Sequence, residues 1–268
     1  MRSWMFALLA SLIICASTLA CDFSSDVKSV YSLAGSVSLA FRDLGLIKSP
    51  KLKGVSVFHP VHRKSFTGTF LPGGVFLSHQ TLSELSGSLL FYDESRELTR
   101  ILDRYKEIKK IEIRTRNLTP QEVEKNSETV LKPFVTNCDL PSLSANLEKK
   151  LSLLKEIIPK NKTLLLFLGL LTEARTPDLL MVNDGIVKWM VQEKLIKSYP
   201  SKLSYVNWSS KVMQGLPRDS LRVGVKDSGS EMITKVEKKP QHINLVFPGA
   251  LIPGTGQVDA MIYLFNNF

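Results

Sequence analysis

A chain of 268 residues, 44% hydrophobic and 22% charged, is long enough to bury a sizeable core and too apolar for global disorder. Its formal charge of +10 favours anionic partners such as phospholipid head groups or acidic glycans. The cations fall in scattered pairs (Lys109-Lys110, Lys149-Lys150, Lys238-Lys239) with no dense patch, which argues against nucleic-acid binding.

Arg2, the apolar run from Trp4 to Ile14 and a small-residue segment ending at Ala20 read as a secretory signal peptide over residues 1–20. The run is shorter than the ~20 residues a membrane span needs. Leu19-Ala20-Cys21 resembles the end of a bacterial lipobox, with Thr18 where an aliphatic residue is usual. That resemblance implies lipid on Cys21, a membrane anchor through it, and a lipoprotein of the cell envelope facing the periplasm. Ordinary cleavage after Ala20 stays open, and it would allow a Cys21–Cys138 disulfide in an oxidising compartment. No CxxC occurs, so that type of zinc or redox motif is absent, and no cofactor or metal is expected.

Residues 21–53 carry small and apolar residues on a weak helical period, closed by Ser49-Pro50. They read as an anchor-proximal helix and linker. The body, 54–268, opens with short β-rich runs at Val55–Phe58, Gly68–Leu71 and Val75–Leu77, with Pro72-Gly73-Gly74 between the last two. Helical spacing follows over Glu94–Tyr105 and alternation over Ile108–Arg114. Thr119-Pro-Gln-Glu122 is a capping-box start, and Leu143–Ile158 a second amphipathic helix. Thr163–Leu170 is apolar throughout apart from Thr163 and Gly169, which predicts a strand buried on both faces of a parallel sheet. Asp178–Lys197 reads as a helix interrupted at Asn183-Asp-Gly185. Strands are expected at Leu203–Trp208, Leu221–Val225, Met232–Val236 and His242–Phe247. Alternation of this kind predicts one α/β domain with a mainly parallel central sheet and helices on both faces.

The order of elements resembles the α/β-hydrolase fold. Leu166-Phe-Leu-Gly169 and Thr176-Pro-Asp-Leu-Leu180 look like the two sides of a nucleophile elbow, with Leu-Leu-Thr-Glu-Ala-Arg where Gly-x-Ser-x-Gly would stand. The resemblance implies hydrolysis of ester or lipid substrates. Thr172 would be the nucleophile, His242 the base and Asp227 the acid, with Asp184 competing for the last role. The amides of Gly73 and Gly74 would form the oxyanion hole, although a plain Gly-rich turn also fits them. The other reading is a non-catalytic binding or structural envelope lipoprotein that keeps a degenerate hydrolase fold. His59-Pro-Val-His62 with His79 lacks a metal-ligand spacing, because Pro60 excludes a regular helix.

Overall fold

The computed structural model describes residues 21–72, 76–159, 164–168, 179–197, 205–207, 220–238 and 243–267. Among the described residues two large sheets form, each with its own core, where one was expected.

The first sheet is built from β2 (Val30–Leu33), β3 (Leu52–Ser56), β4 (Thr69–Leu71), β5 (Leu89–Asp93) and β6 (Lys109–Ile113), in the order β4-β3-β2-β5-β6. All its strand pairs are parallel. The short apolar strings Val-Tyr-Ser-Leu and Leu-Leu-Phe-Tyr make the inner strands β2 and β5, buried between helices as parallel strands must be. Helix α1 (Gly35–Asp43) returns from β2, α2 (His79–Glu84) leads into β5, and α3 (Arg96–Leu102) joins β5 to β6. The helix starts follow the chemistry of free N–H groups: Ser78 and Ser95 accept from Thr81 and Leu98 at the starts of α2 and α3. Residues 21–53, expected as a helix and linker, therefore supply a central strand, a helix and a third strand of this sheet. The weak helical period belongs to α1 alone.

Helix α4 (Pro120–Leu131) begins at the expected capping box, Thr119 N donating to Glu122 Oε2 at 2.6 Å. A two-stranded ribbon, β1 (Asp22–Phe23) with β7 (Val135–Thr136), then ties the start of the described chain to the end of α4. Beside it Cys21 and Cys138 are joined in a disulfide. This is the pairing that ordinary cleavage after Ala20 would allow. Phe23, Phe41, Phe91 and Phe134 run through this core edge to face, at 5.2–5.8 Å between successive centroids.

Helix α5 (Pro141–Ile157) links the two cores. Leu143 lies in the first, while Leu147, Leu151 and Leu154, one helical turn apart, lie in the second. The second sheet contains β8 (Leu164–Leu168), β9 (Leu179–Met181), β10 (Tyr205–Asn207), β11 (Leu221–Asp227), β12 (Lys235–Lys238) and β13 (Ile243–Phe247), ordered β10-β9-β8-β11-β13-β12. Strands β8, β11 and β13 are parallel, and β9, β10 and β12 run against their neighbours. Leu164–Leu168 is the inner strand its apolarity predicted, with Leu165 buried. It is parallel to β11 on one side only.

The far side of the expected elbow is different. Leu179 and Leu180 pair antiparallel with Leu168 and Phe167, so the chain returns as a strand and not as the helix a nucleophile elbow requires. The helix expected from Asp178 begins later, as α6 (Gly185–Gln192), with Asp184 at its N-cap accepting from Gly185 N at 2.7 Å. Finally α7 (Thr255–Asn266) packs on α5, α4 and α1, closing the seam between the lobes.

Candidate functional site

Parallel strands gather their carboxyl ends, and the loops after them, along one edge of a sheet, where open α/β folds place ligands. Here the loop after β3 in the first lobe meets the loop after β11 in the second. Ser230 N donates to Val57 O at 3.2 Å, and Arg63 Nε donates to Ser230 Oγ at 3.3 Å. Gly229 permits this approach. Its φ is +49°, and a Cβ there would lie 2.7 Å from Val57 O, so any side chain would push the loops apart.

A pocket of about 320 Å³ opens at this junction, lined by Val57, Phe58 and Arg63 on one lobe and by Lys226, residues 227–231, Ile233 and Val246 on the other. Its walls mix apolar surface with charge of both signs, the cations Arg63 and Lys226 beside the carboxylates of Asp227 and Glu231. Phe58 is 57% exposed and Ile233 50%, unusual for residues that gain from burial. Phe76, 72% exposed, follows the carboxyl end of β4. The Arg63 guanidinium sits 5.6 Å from the Phe70 ring centre, which orients it, and Lys226 is exposed.

Behind the pocket the walls are held by buried polar groups. His59 is fully enclosed, its Nδ1 2.7 Å from Ser38 Oγ, which in turn donates to Ser32 Oγ at 2.9 Å. Burial holds its pKa down at about 3, so the ring is neutral and pins the β3 loop to α1. His62 and His79 lie apart from it: the first accepts from Lys64 N, and the second stands edge-on to Tyr105.

Asp227, expected as a catalytic acid, ends β11 as a backbone anchor. Its Oδ1 accepts from Gly229 N at 2.7 Å and Gly249 N at 2.8 Å, and its Oδ2 from Leu251 N at 3.2 Å. Burial raises its pKa despite these three amides. Thr172, His242, Gly73 and Gly74 lie outside the described residues. Asp184 caps a helix. The pocket residues Phe58, Arg63, Lys226 and Ile233 were not singled out as site residues, although Phe58 lies two residues beyond β3, Lys226 inside β11 and Ile233 two residues before β12.

Neither a protein-family model nor a curated protein matches the sequence. The fold is similar to solved structures of periplasmic binding proteins. The periplasmic heme-binding protein HutB of Vibrio cholerae aligns with a TM-score of 0.62 at 14% identity, over 91% of this chain and 99% of its own. The periplasmic heme-binding protein RhuT of Roseiflexus sp. RS-1 gives 0.62 at 13% identity, over 90% and 97%. The periplasmic vitamin B12-binding protein BtuF of Vibrio cholerae gives 0.59 at 14%, over 90% and 97%. These likenesses, with the two separate sheets and the antiparallel β9, overturn the α/β-hydrolase resemblance and the esterase or lipase activity it implied.

Proposed function

We propose that the protein is an exported, non-catalytic solute-binding protein that holds its ligand between the two lobes. The observation that carries this reading is the pocket where the loops after β3 and β11 meet, with Phe58 and Ile233 exposed beside Arg63 and Lys226. Its volume falls at the lower end of the ~300–1,000 Å³ usual for small-molecule sites. Exposed apolar side chains flanked by cations suit a solute with a flat or macrocyclic apolar body and acidic groups at its rim. Neighbouring structures are named as heme-binding and vitamin B12-binding proteins. The N-terminal signal and the Cys21–Cys138 disulfide support an oxidising compartment outside the cytoplasm.

Titration of the oxidised chain beginning at Cys21 with hemin, cyanocobalamin and a ferric siderophore, followed by tryptophan fluorescence and melting temperature, tests the proposal. One of the three is expected to bind saturably, and Phe58→Ala and Lys226→Glu to weaken it about tenfold each. Saturable binding that both variants leave unchanged would move the site elsewhere, and no binding by any of them would reject this ligand class.

A further inference from the structure

On the outer side of the first lobe, α3 and the edge strand β6 enclose an open groove of about 730 Å³. Arg96, Arg100, Arg114 and Arg116 line it, and Arg104 extends the helical row. All five are exposed. Three acidic side chains between them are already engaged. Glu94 Oε1 accepts from Arg116 N at 2.7 Å and Thr115 N at 3.3 Å. Asp103 pairs with Lys110 at 3.2 Å, and Glu112 accepts from Thr99 Oγ1 at 3.0 Å. None of the five guanidinium groups joins a salt bridge among the described residues. The groove therefore presents forked donors, each able to take a carboxylate in bidentate fashion, with Glu94, Asp103 and Glu112 held on other partners and Glu97 exposed beside Arg96.

The spacing restricts the occupant. Arg96 and Arg100 stand one helical turn apart on α3, about 6 Å along its axis, and Arg104 follows in the turn after it. Arg114 and Arg116 flank the buried Thr115 in the segment that follows β6. Guanidinium groups on both sides of a groove match a polypeptide segment that carries acidic side chains at several positions. A flat anionic bilayer fits less well, because the arginines stand on the two sides of a groove. The groove is also separate from the interlobe pocket, since β6 lies three strands, roughly 15 Å, from β3.

We infer that this groove docks an extended acidic segment of a partner protein. The experiment uses the oxidised chain from Cys21, a fluorescent ten-residue peptide of alternating Glu and Ser, and vesicles containing phosphatidylglycerol. R100E/R114E is compared with K125E/K149E, which changes net charge equally at exposed lysines outside the groove. Both variants are expected to melt as the parent does; should R100E/R114E melt early, R100Q/R114Q replaces it. The peptide is expected to bind the parent with a strong salt dependence, tenfold or more weaker in the groove variant and within twofold in the control. Equal loss in both variants would reduce the effect to net charge and overturn the inference. So would failure of the peptide to bind, or groove-dependent binding of the vesicles alone.

Discussion

The two lobes divide the work of the cleft unequally. All five strands of the first sheet run parallel, so every loop after them reaches the same edge. In the second sheet β8, β10, β11 and β13 share one direction, while β9 and β12 run back the other way. The first lobe supplies the side chains of Phe58 and Arg63. The second supplies a stiffened lip, in which one carboxylate, Asp227, gathers the amides of Gly229, Gly249 and Leu251. The first lobe is also stapled covalently, through Cys21 and Cys138, across 117 residues of chain. Among the described residues, the second depends on packing alone, around Trp189 and the leucines of α5.

If the staple belongs to the first lobe energetically, its removal should act there. Cys138→Ser is expected to cost about 2–5 kcal/mol, read by chemical denaturation. Hydrogen exchange should show earlier loss of protection in β5 than in β11. Equal loss in both sheets would show that α5, with a leucine in one core and three in the other, couples the lobes into one cooperative unit.

The lip offers the converse test. Asp227→Ala leaves three amides without their acceptor, and about 3 kcal/mol is expected for losing such a group of bonds. The effect should centre on residues 227–251 and on ligand retention. An unchanged melting temperature would remove Asp227 from its anchoring role.

The sequence made the second lobe's central strand legible, because Leu164–Leu168 is an unbroken apolar run. The Thr119 capping box and Leu143–Ile158 helix were equally plain, since caps and helical periods are local signals. Val30–Leu33 stayed hidden because a four-residue strand with Ser and Tyr inside it has no period to read. Leu89–Asp93 carried a readable signal, a buried-strand string, yet adjoins the helical pattern that follows. What no local pattern holds is pairing: whether Leu179–Met181 continues into a helix or returns beside β8 depends on contacts distant in sequence. The site was least legible for the same reason, since Val57 and Gly229 are neighbours only through the fold.

Gly229→Ala sharpens the comparison at the point of contact. The left-handed backbone costs a residue with a Cβ about 1–2 kcal/mol, and that Cβ would press on Val57 O. The lobes should part slightly, giving a modest fall in melting temperature and a faster ligand off-rate. Because Gly229 touches only the junction, protection inside either sheet should not change.

The smallest net effect is on the pH dependence of stability, where opposed groups partly cancel. Burial pushes Asp93, whose Oδ1 is enclosed without a hydrogen-bond partner, up to about 7. Glu124 also rises to about 7. It lies on α4 and accepts from Thr255 Oγ1 at 2.9 Å, across the seam to the first turn of α7. Asp43 and Glu128 add to its rise, and Lys150 opposes them. A raised carboxyl binds its proton more tightly when folded, so the stability it contributes is present at low pH and lost as pH rises towards 7. His59, lowered to about 3, has the opposite sign: its contribution is present above about 6.5 and lost on acidification. Between roughly pH 4.5 and 6.5 two carboxyls oppose one imidazole. Stability should therefore fall with rising pH by about one proton's worth, near 1.4 kcal/mol per pH unit, with Asp227 adding in the same direction. Denaturation at pH 5.0, 5.5 and 6.0 reads the slope. Glu124→Gln should reduce it by about 1.4 kcal/mol per unit, and a slope unchanged by that variant would mean that the seam carboxyl does not titrate there.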